Sequence, residues 1–378
     1  MDPEIHVNKN PSLADEAIDI SLTGLNKFQK VSLHAKSKLA NGAVFESTSH
    51  YIADNLGCID LRSHKSYGGT YEGIWPMGPI SFMTPSSFNK RKHERFLIKD
   101  PMKSFTIKLQ VFDSFIPEMV ENTNKYKKLT DFDIIRTYVT PQVIEQEIHE
   151  GKIRGTLYLP TKSGKYPGVI SMSGGYPGAM KHKAAILASH GFVALALRYF
   201  GTDDLPPSVE GIDLAYFIEA ARFLKNHPNV QGKNGVGIIA NCAGAIFALA
   251  AATCAPDGLF GCVVAISGWF FSFTNFEYEG KKWKSMLSFK TFKPGPEGTY
   301  IYDFDKNVNP SMLSRLSLPD DSHFAFYKRL HTAYMFVHGG EDADLNNNSL
   351  KLRALPEIFS NLTTIQIINL YFILRLGT

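Results

Sequence analysis

The sequence predicts two domains, an all-β sandwich followed by an α/β domain built on a mostly parallel sheet. Three observations predict it. The chain has 378 residues, more than one hydrophobic core ordinarily organises. Its first third alternates apolar and polar residues with period two and shows no helical period between the runs. From about Asp133 onward, continuous apolar runs alternate with helical patterns, as in a parallel sheet covered on both faces. We place the boundary between the domains at 132/133.

The front strands are expected at 17–25 (AIDISLTGL), 31–39 (VSLHAKSKL), 42–53 (GAVFESTSHYIA) and 105–114 (FTIKLQVFDS). Consecutive strands joined by turns favour antiparallel pairing into a sandwich. The charged, weakly patterned stretch 117–128 reads as the approach to the boundary. Behind it, GKIRGTLYLP (151–160) is a strand ending at Pro160, and YPGVISMSGG (166–175) is a buried strand running into glycines. KHKAAILASHG (181–191) has helical spacing and stops at glycine, and FVALALRYFG (192–201) is another buried strand. IDLAYFIEAARFLKNHP (212–228) is an amphipathic helix closed by Pro228, and VGIIANCAG (236–244) is a strand entering a turn. AIFALAAATCA (245–255) is an apolar helix, and GCVVAISG (261–268) and TAYMFVHGG (332–340) are further strands.

Composition limits the function. Apolar residues make up 44% of the chain and charged residues 20%, as in soluble globular proteins. A net charge of +4, with no basic run interleaved with aromatics, does not support a nucleic-acid partner. The four cysteines, Cys58, Cys242, Cys254 and Cys262, form no C-x-x-C pair and no zinc-type cluster, so no metal or separate cofactor is expected. Their small number favours a reducing compartment. The polar N-terminus lacks the apolar run of a signal peptide. The apolar stretch 365–376 is interrupted by Gln366, Asn369 and Arg375 and is too short for a bilayer, so no membrane span is expected. A cytoplasmic protein is the expectation. The ending Leu376-Gly377-Thr378 is not an S-K-L-type signal, which leaves a peroxisomal location to a longer form.

The sharpest local feature is GVGIIANCAGAIFALA. A strand runs into Asn241-Cys242-Ala243-Gly244 and then directly into a helix, with small residues, Ala240 and Gly244, two before and two after the cysteine. That is the pattern of a nucleophile elbow, where strand and helix backbones pass in contact and the nucleophile is held strained at the strand tip. The helix dipole there favours negative charge. A packing cysteine at the start of a core helix has the same local pattern, and Cys254 and Cys262 read that way. The loop SMSGGYPGAMKHKA (171–184) sits where backbone N–H groups form half of an oxyanion hole. Gly174 or Gly175 is the expected donor, and the N–H of Ala243 is the other half. An ordinary strand-to-helix turn would look similar. After the strand at 332–337, HGGEDADLNNN offers Asp342 as the acid of a triad, with Asp344 in reserve; solvated acids in an Asx turn are the alternative.

These residues resemble the family of acyl-CoA thioesterases and bile-acid-CoA:amino-acid N-acyltransferases. In front the resemblance is carried by IDISLTGL, SHYIADNLGCIDL and YEGIWPMGPI. Behind, it is carried by YPGVISMSGG, ASHGFVALALRYFGTDDLP, AYFIEAARFLKNHPNVQG and GVGIIANCAGA. The resemblance implies an immunoglobulin-like front domain and an α/β-hydrolase back domain. It implies acyl-CoA as substrate, with coenzyme A present only as part of it, and either water or an amino acid as acceptor. It places the nucleophile on Cys242, a cysteine as in the transferases, and the acid on Asp342. Two departures stand out. Ala240 occupies a position that is usually glycine in the serine members. No histidine follows His338, whereas the family completes its triad with a histidine after the acid. The chain is therefore expected to be truncated before its last strand, and catalytically impaired. Arg198 and Lys181 are candidates to meet coenzyme A phosphates, and the aromatic, basic segment 270–310 is a candidate lining of the acyl site.

Overall fold

The computed structural model describes residues 2–91, 94–202, 204–268, 275–283, 289–294, 300–304, 332–339 and 365–370. The chain divides into two compact units, with the main break between Thr140 and Pro141.

The front unit is a two-sheet sandwich. One sheet has three strands, β1 (Glu4–Val7), β3 (Ile20–Thr23) and β6 (Ile59–Asp60), in the order β1-β3-β6. The other has six strands: β2 (Ser12–Leu13), β4 (Lys30–Lys38), β5 (Val44–Ile52), β9 (Thr84–Pro85), β10 (Phe105–Phe112) and β11 (Lys128–Thr137). Their order is β2-β11-β10-β4-β5-β9. A small ribbon of β7 (Ser66–Tyr67) and β8 (Glu72–Gly73) and a one-turn helix, α1 (Gly78–Ser81), complete it. Ile20, Leu22 and Ile59 from the small sheet share one core with Leu33, Tyr51, Leu109 and Ile134 from the large one. This is the burial that joins the sheets.

The boundary expected at 132/133 falls inside β11 and is corrected to 140/141. The acidic residues of 128–137 obscured the strand. Asp131 and Asp133 face outward against Lys108 Nζ, at 3.4 and 3.0 Å, while Ile134 and Arg136 are buried. Arg136 donates to Ser12 Oγ (2.7 Å) and to the carbonyls of Ala14 (3.0 Å) and Glu16 (2.7 Å), tying the N-terminal segment to β11.

The back unit is an eight-stranded sheet, ordered β12-β13-β15-β14-β17-β18-β23-β24. The strands are β12 (Val143–Glu150), β13 (Ile153–Pro160), β14 (Gly168–Met172), β15 (Val193–Arg198), β17 (Val236–Asn241), β18 (Phe260–Ile266), β23 (Ala333–Gly339) and β24 (Ile365–Leu370). β13 runs antiparallel to both neighbours, and every pair from β15 to β24 is parallel. This order is that of the α/β-hydrolase sheet. Smaller ribbons pair β16 (Ile212–Asp213), β19 (Phe276–Tyr278) and β20 (Lys281–Trp283), and β21 (Phe289–Pro294) with β22 (Tyr300–Phe304).

Among the described residues three helices accompany the sheet: α2 (Lys181–Ser189), α3 (Ala215–Asn226) and α4 (Ala243–Cys254). α3 buries Phe217, Ala220, Ala221 and Leu224, one face at helical spacing. It stops before Pro228, as the sequence indicated. α4 is buried on all sides from Gly244 to Ala252, so its all-apolar composition is that of a core helix.

The sheet has an eighth strand that the sequence pattern did not mark. β24 lies beside β23, with His338 opposite Asn369 and Gly339 opposite Leu370. Ile365, Ile367 and Ile368 are β-branched and support a strand there. Cys262 is also corrected. It is exposed, because Val263 and Ala265 take the core face of β18. Cys254 is half-buried and packs against the core.

The ring of Phe217 stacks on Phe247 at 5.5 Å and meets Tyr199 edge-on at 5.5 Å, fully buried between α3, α4 and the end of β15. Phe217→Ala is expected to cost about 3–5 kcal/mol. Chemical denaturation of the α/β unit checks this, and a loss below about 1 kcal/mol contradicts the packing.

Candidate active site

β17 delivers Ala240 and Asn241 to the carboxyl edge of the sheet, and α4 begins at Ala243. Cys242 alone makes the turn between them, with φ 50° and ψ −123°. A side-chain-bearing residue in that region is strained by about 1–3 kcal/mol and persists only where its surroundings over-determine it. Two hydrogen bonds fix it here. The N–H of Cys242 donates to Ile266 O on β18 (2.8 Å), and its carbonyl accepts from Ala245 N–H (3.0 Å). The Cys242 N–H is therefore engaged within the sheet, and the next one, on Ala243, stands in the first turn of the helix. The side chain of Cys242 is half-buried, neither sealed in the core nor in a disulfide.

Crowding explains the small residues around it. A Cβ on Gly244 would lie 2.0 Å from Ser173 O, so helix and loop backbones touch there. A Cβ on Gly174 would lie 3.0 Å from Cys242 Cβ. Gly174 therefore stands against the cysteine, and Gly175 follows it, both in the loop after β14. The structure thus brings together Cys242, Ala243, Gly174 and Gly175.

That loop is held at several points. Ser173 Oγ donates to Gly178 O across it (3.0 Å). Tyr199 Oη lies 2.6 Å from Gly174 O and 3.0 Å from Ser173 O. Burial pushes the Tyr199 phenol above its ordinary value, so it remains a donor. On the other flank, Lys183 Nζ in the first turn of α2 donates to Asn241 Oδ1 (2.8 Å), beside the cysteine. Burial pulls the Lys183 ammonium below its usual value, and His182 is lowered for the same reason. Sequence reasoning missed Tyr199 and Lys183. The one available signal for Tyr199 was its place directly after the strand that neighbours the glycine loop.

Asp342 and Asp344 lie outside the described residues, as does about half of the segment 270–310. The backbone of His338 is in β23, and His227 caps the end of α3. Lys181 and Arg198 are both held by carboxylates: Lys181 Nζ lies 3.0 Å from Glu145 Oε1, and Arg198 pairs with Glu147. Neither is a bare cation awaiting a phosphate. Among the described residues no group of three His, Cys, Asp or Glu side chains is placed to hold a metal ion. Among them, too, no helix is long and apolar enough to cross a membrane.

Residues 15–150 match the family described as acyl-CoA thioester hydrolase/BAAT N-terminal region, and 212–356 match the BAAT / acyl-CoA thioester hydrolase C terminal. The chain is 32% identical over 352 residues to the bile acid-CoA:amino acid N-acyltransferase of Mus musculus, covering 93% of this chain and 80% of that one. It belongs to this family. It is also 33% identical over 239 residues to acyl-coenzyme A thioesterase 1 of Mus musculus, covering 63% of this chain and 54% of the other. With seven of these relatives the alignment spans 51% to 56% of their length. The solved esterase Est22 superposes over 60% of this chain and 72% of its own, with a TM-score of 0.39 at 12% identity.

The contact at Gly244 gives a direct test of why the residue two after Cys242 is small. Gly244→Ala places a methyl group against Ser173 O and is expected to destabilise the unit by about 1–3 kcal/mol. A thermal midpoint equal to that of the unsubstituted protein would contradict the close approach of α4 and the loop.

Proposed function

We propose that this chain cleaves acyl-CoA thioesters through an acyl-cysteine on Cys242, and passes the acyl group to an amino acid or to water. The observation that carries the reading is a cysteine held at φ 50° in a tight strand-to-helix turn, with a glycine loop against it, in a member of this family.

In the first half-reaction the sulfur of Cys242 attacks the thioester carbonyl carbon. Negative charge collects on the carbonyl oxygen. The N–H of Ala243 and that of Gly174 or Gly175 are the donors assigned to it. The C–S bond to coenzyme A breaks, its thiol leaves with the proton given up by Cys242, and the acyl group remains on the enzyme. In the second half an amine attacks, forming an amide and returning the thiol. Thioesters react more readily with amines than with water, so sulfur at this position favours an amino-acid acceptor. Asp342 is the proposed acid of the triad. The reaction needs no cofactor beyond the coenzyme A carried by the substrate.

Residues 339–378 contain no histidine; where no histidine after the acid activates the incoming nucleophile, the second half-reaction is the slow one. Loss of a triad member leaves roughly 10³–10⁴-fold catalysis over the uncatalysed reaction from the remaining parts. Assayed as these 378 residues, the protein is expected to acylate itself and to deacylate slowly.

Incubation with acetyl-, octanoyl- and palmitoyl-CoA, with and without glycine or taurine, tests both statements. The expected result is about one equivalent of coenzyme A released per chain, followed by slow turnover. Amide should form in excess of free acid when amine is present, and no release is expected from Cys242→Ala. Release unchanged in Cys242→Ala would contradict the proposal.

A further inference from the structure

We infer that Tyr199 is a positioning residue for the acyl-transfer site, its hydroxyl fixing the two peptide units that carry the Gly174 and Gly175 N–H groups. The inference rests on the reading of Cys242 as acyl acceptor and adds to it the side chain that sets the oxyanion donors.

The argument is geometric. In a trans peptide the C=O of one residue and the N–H of the next point in opposite directions across one rigid plane. Ser173 O therefore sets the direction of the Gly174 N–H, and Gly174 O sets that of the Gly175 N–H. Tyr199 Oη lies within hydrogen-bonding distance of both carbonyls, at 3.0 and 2.6 Å. One hydroxyl thus orients both candidate donors. Glycine has no side chain to restrict its torsions, so the Gly174-Gly175 pair depends on outside contacts for its orientation.

The tyrosine is itself immobilised. It is 2% exposed, and its ring meets Phe200, Phe217 and Phe247 at centroid distances of 5.0, 5.5 and 5.9 Å. Two residues on, a Cβ placed on Gly201 would lie 2.6 Å from Pro177 Cβ. The segment after β15 therefore grips the loop at both ends, at Ser173-Gly174 and at Pro177. Burial raises the phenol's pKa and outweighs the lowering by its hydrogen bond to Ser173, so the hydroxyl keeps its proton.

Purely structural and positioning roles separate by chemistry. Acylation of Cys242 passes through an oxyanion, whereas alkylation by iodoacetamide is a direct displacement at carbon that builds none. p-Nitrophenyl acetate acylates without coenzyme A recognition, so it tests the loop even if acyl-CoA is not the substrate. In Tyr199→Phe, acylation by p-nitrophenyl acetate is expected to slow about ten- to hundredfold, below the full loss of an oxyanion donor. Alkylation of Cys242 by iodoacetamide is expected to stay within twofold. Phe200→Leu, which loosens the same ring cluster without touching the loop carbonyls, should leave the ratio of the two rates unchanged. Equal rates in Tyr199→Phe and the unsubstituted chain, or a parallel fall in both reactions, would overturn the inference. So would failure of Tyr199→Phe to fold, because the hydroxyl would then be holding the fold rather than the loop. Reaction with p-nitrophenyl acetate but with none of the acyl-CoAs would instead overturn the proposed substrate class and leave the role of Tyr199 standing.

Discussion

One close approach governs the back unit: the carbonyl of Ser173 lies where any side chain on Gly244 would have to go. It brings the loop after β14 against the first turn of α4. The residue between β17 and α4 then has no room for an ordinary turn, and Cys242 takes a positive φ. The strain of about 1–3 kcal/mol is offset by the bonds to Ile266 and Ala245 and by the packing of a helix buried along nearly its whole length. The result is a half-buried thiol at the strand's tip with the glycine loop against it. Without that contact, the same sequence would describe a packing cysteine at the start of a core helix.

Much of this was legible in the chain. The apolar runs of β14, β15, β17 and β18 and the amphipathic face of α3 gave the order of strands and helices. Small residues flanking Cys242 gave the elbow, because steric crowding leaves a compositional trace. Other features left none. β11 was obscured because its outward aspartates are neutralised by lysines, Lys108 on the neighbouring strand and Lys128 on β11 itself. β24 was not marked because 365–376 was weighed only as a membrane span, though its β-branched residues suit a strand. Cys262 read as buried from its strand, yet the alternation of β18 puts it outside.

The candidate site shows the same division. Cys242, Ala243, Gly174 and Gly175 were nameable because a local motif carries them. Tyr199 and Lys183 were not, because each acts on a segment reached only through the fold: Tyr199 across the sheet on the glycine loop, and Lys183 from α2 on Asn241. Supporting residues of this kind have no fixed spacing from the nucleophile, so periodicity and motif alone do not find them. The lysine and arginine considered for phosphate binding were misleading for the converse reason. Their carboxylate partners, Glu145 and Glu147, lie on β12, an edge strand that the sequence pattern did not mark.

The account therefore turns on which sulfur is chemically distinguished. Brief exposure to an acyl-CoA, acid quenching and peptide mapping by mass spectrometry would read all four cysteines at once. The geometry predicts an acyl adduct confined to half-buried Cys242, with Cys58, Cys254 and the more exposed Cys262 unmodified. Adducts distributed by exposure, with Cys262 ahead of Cys242, would contradict it.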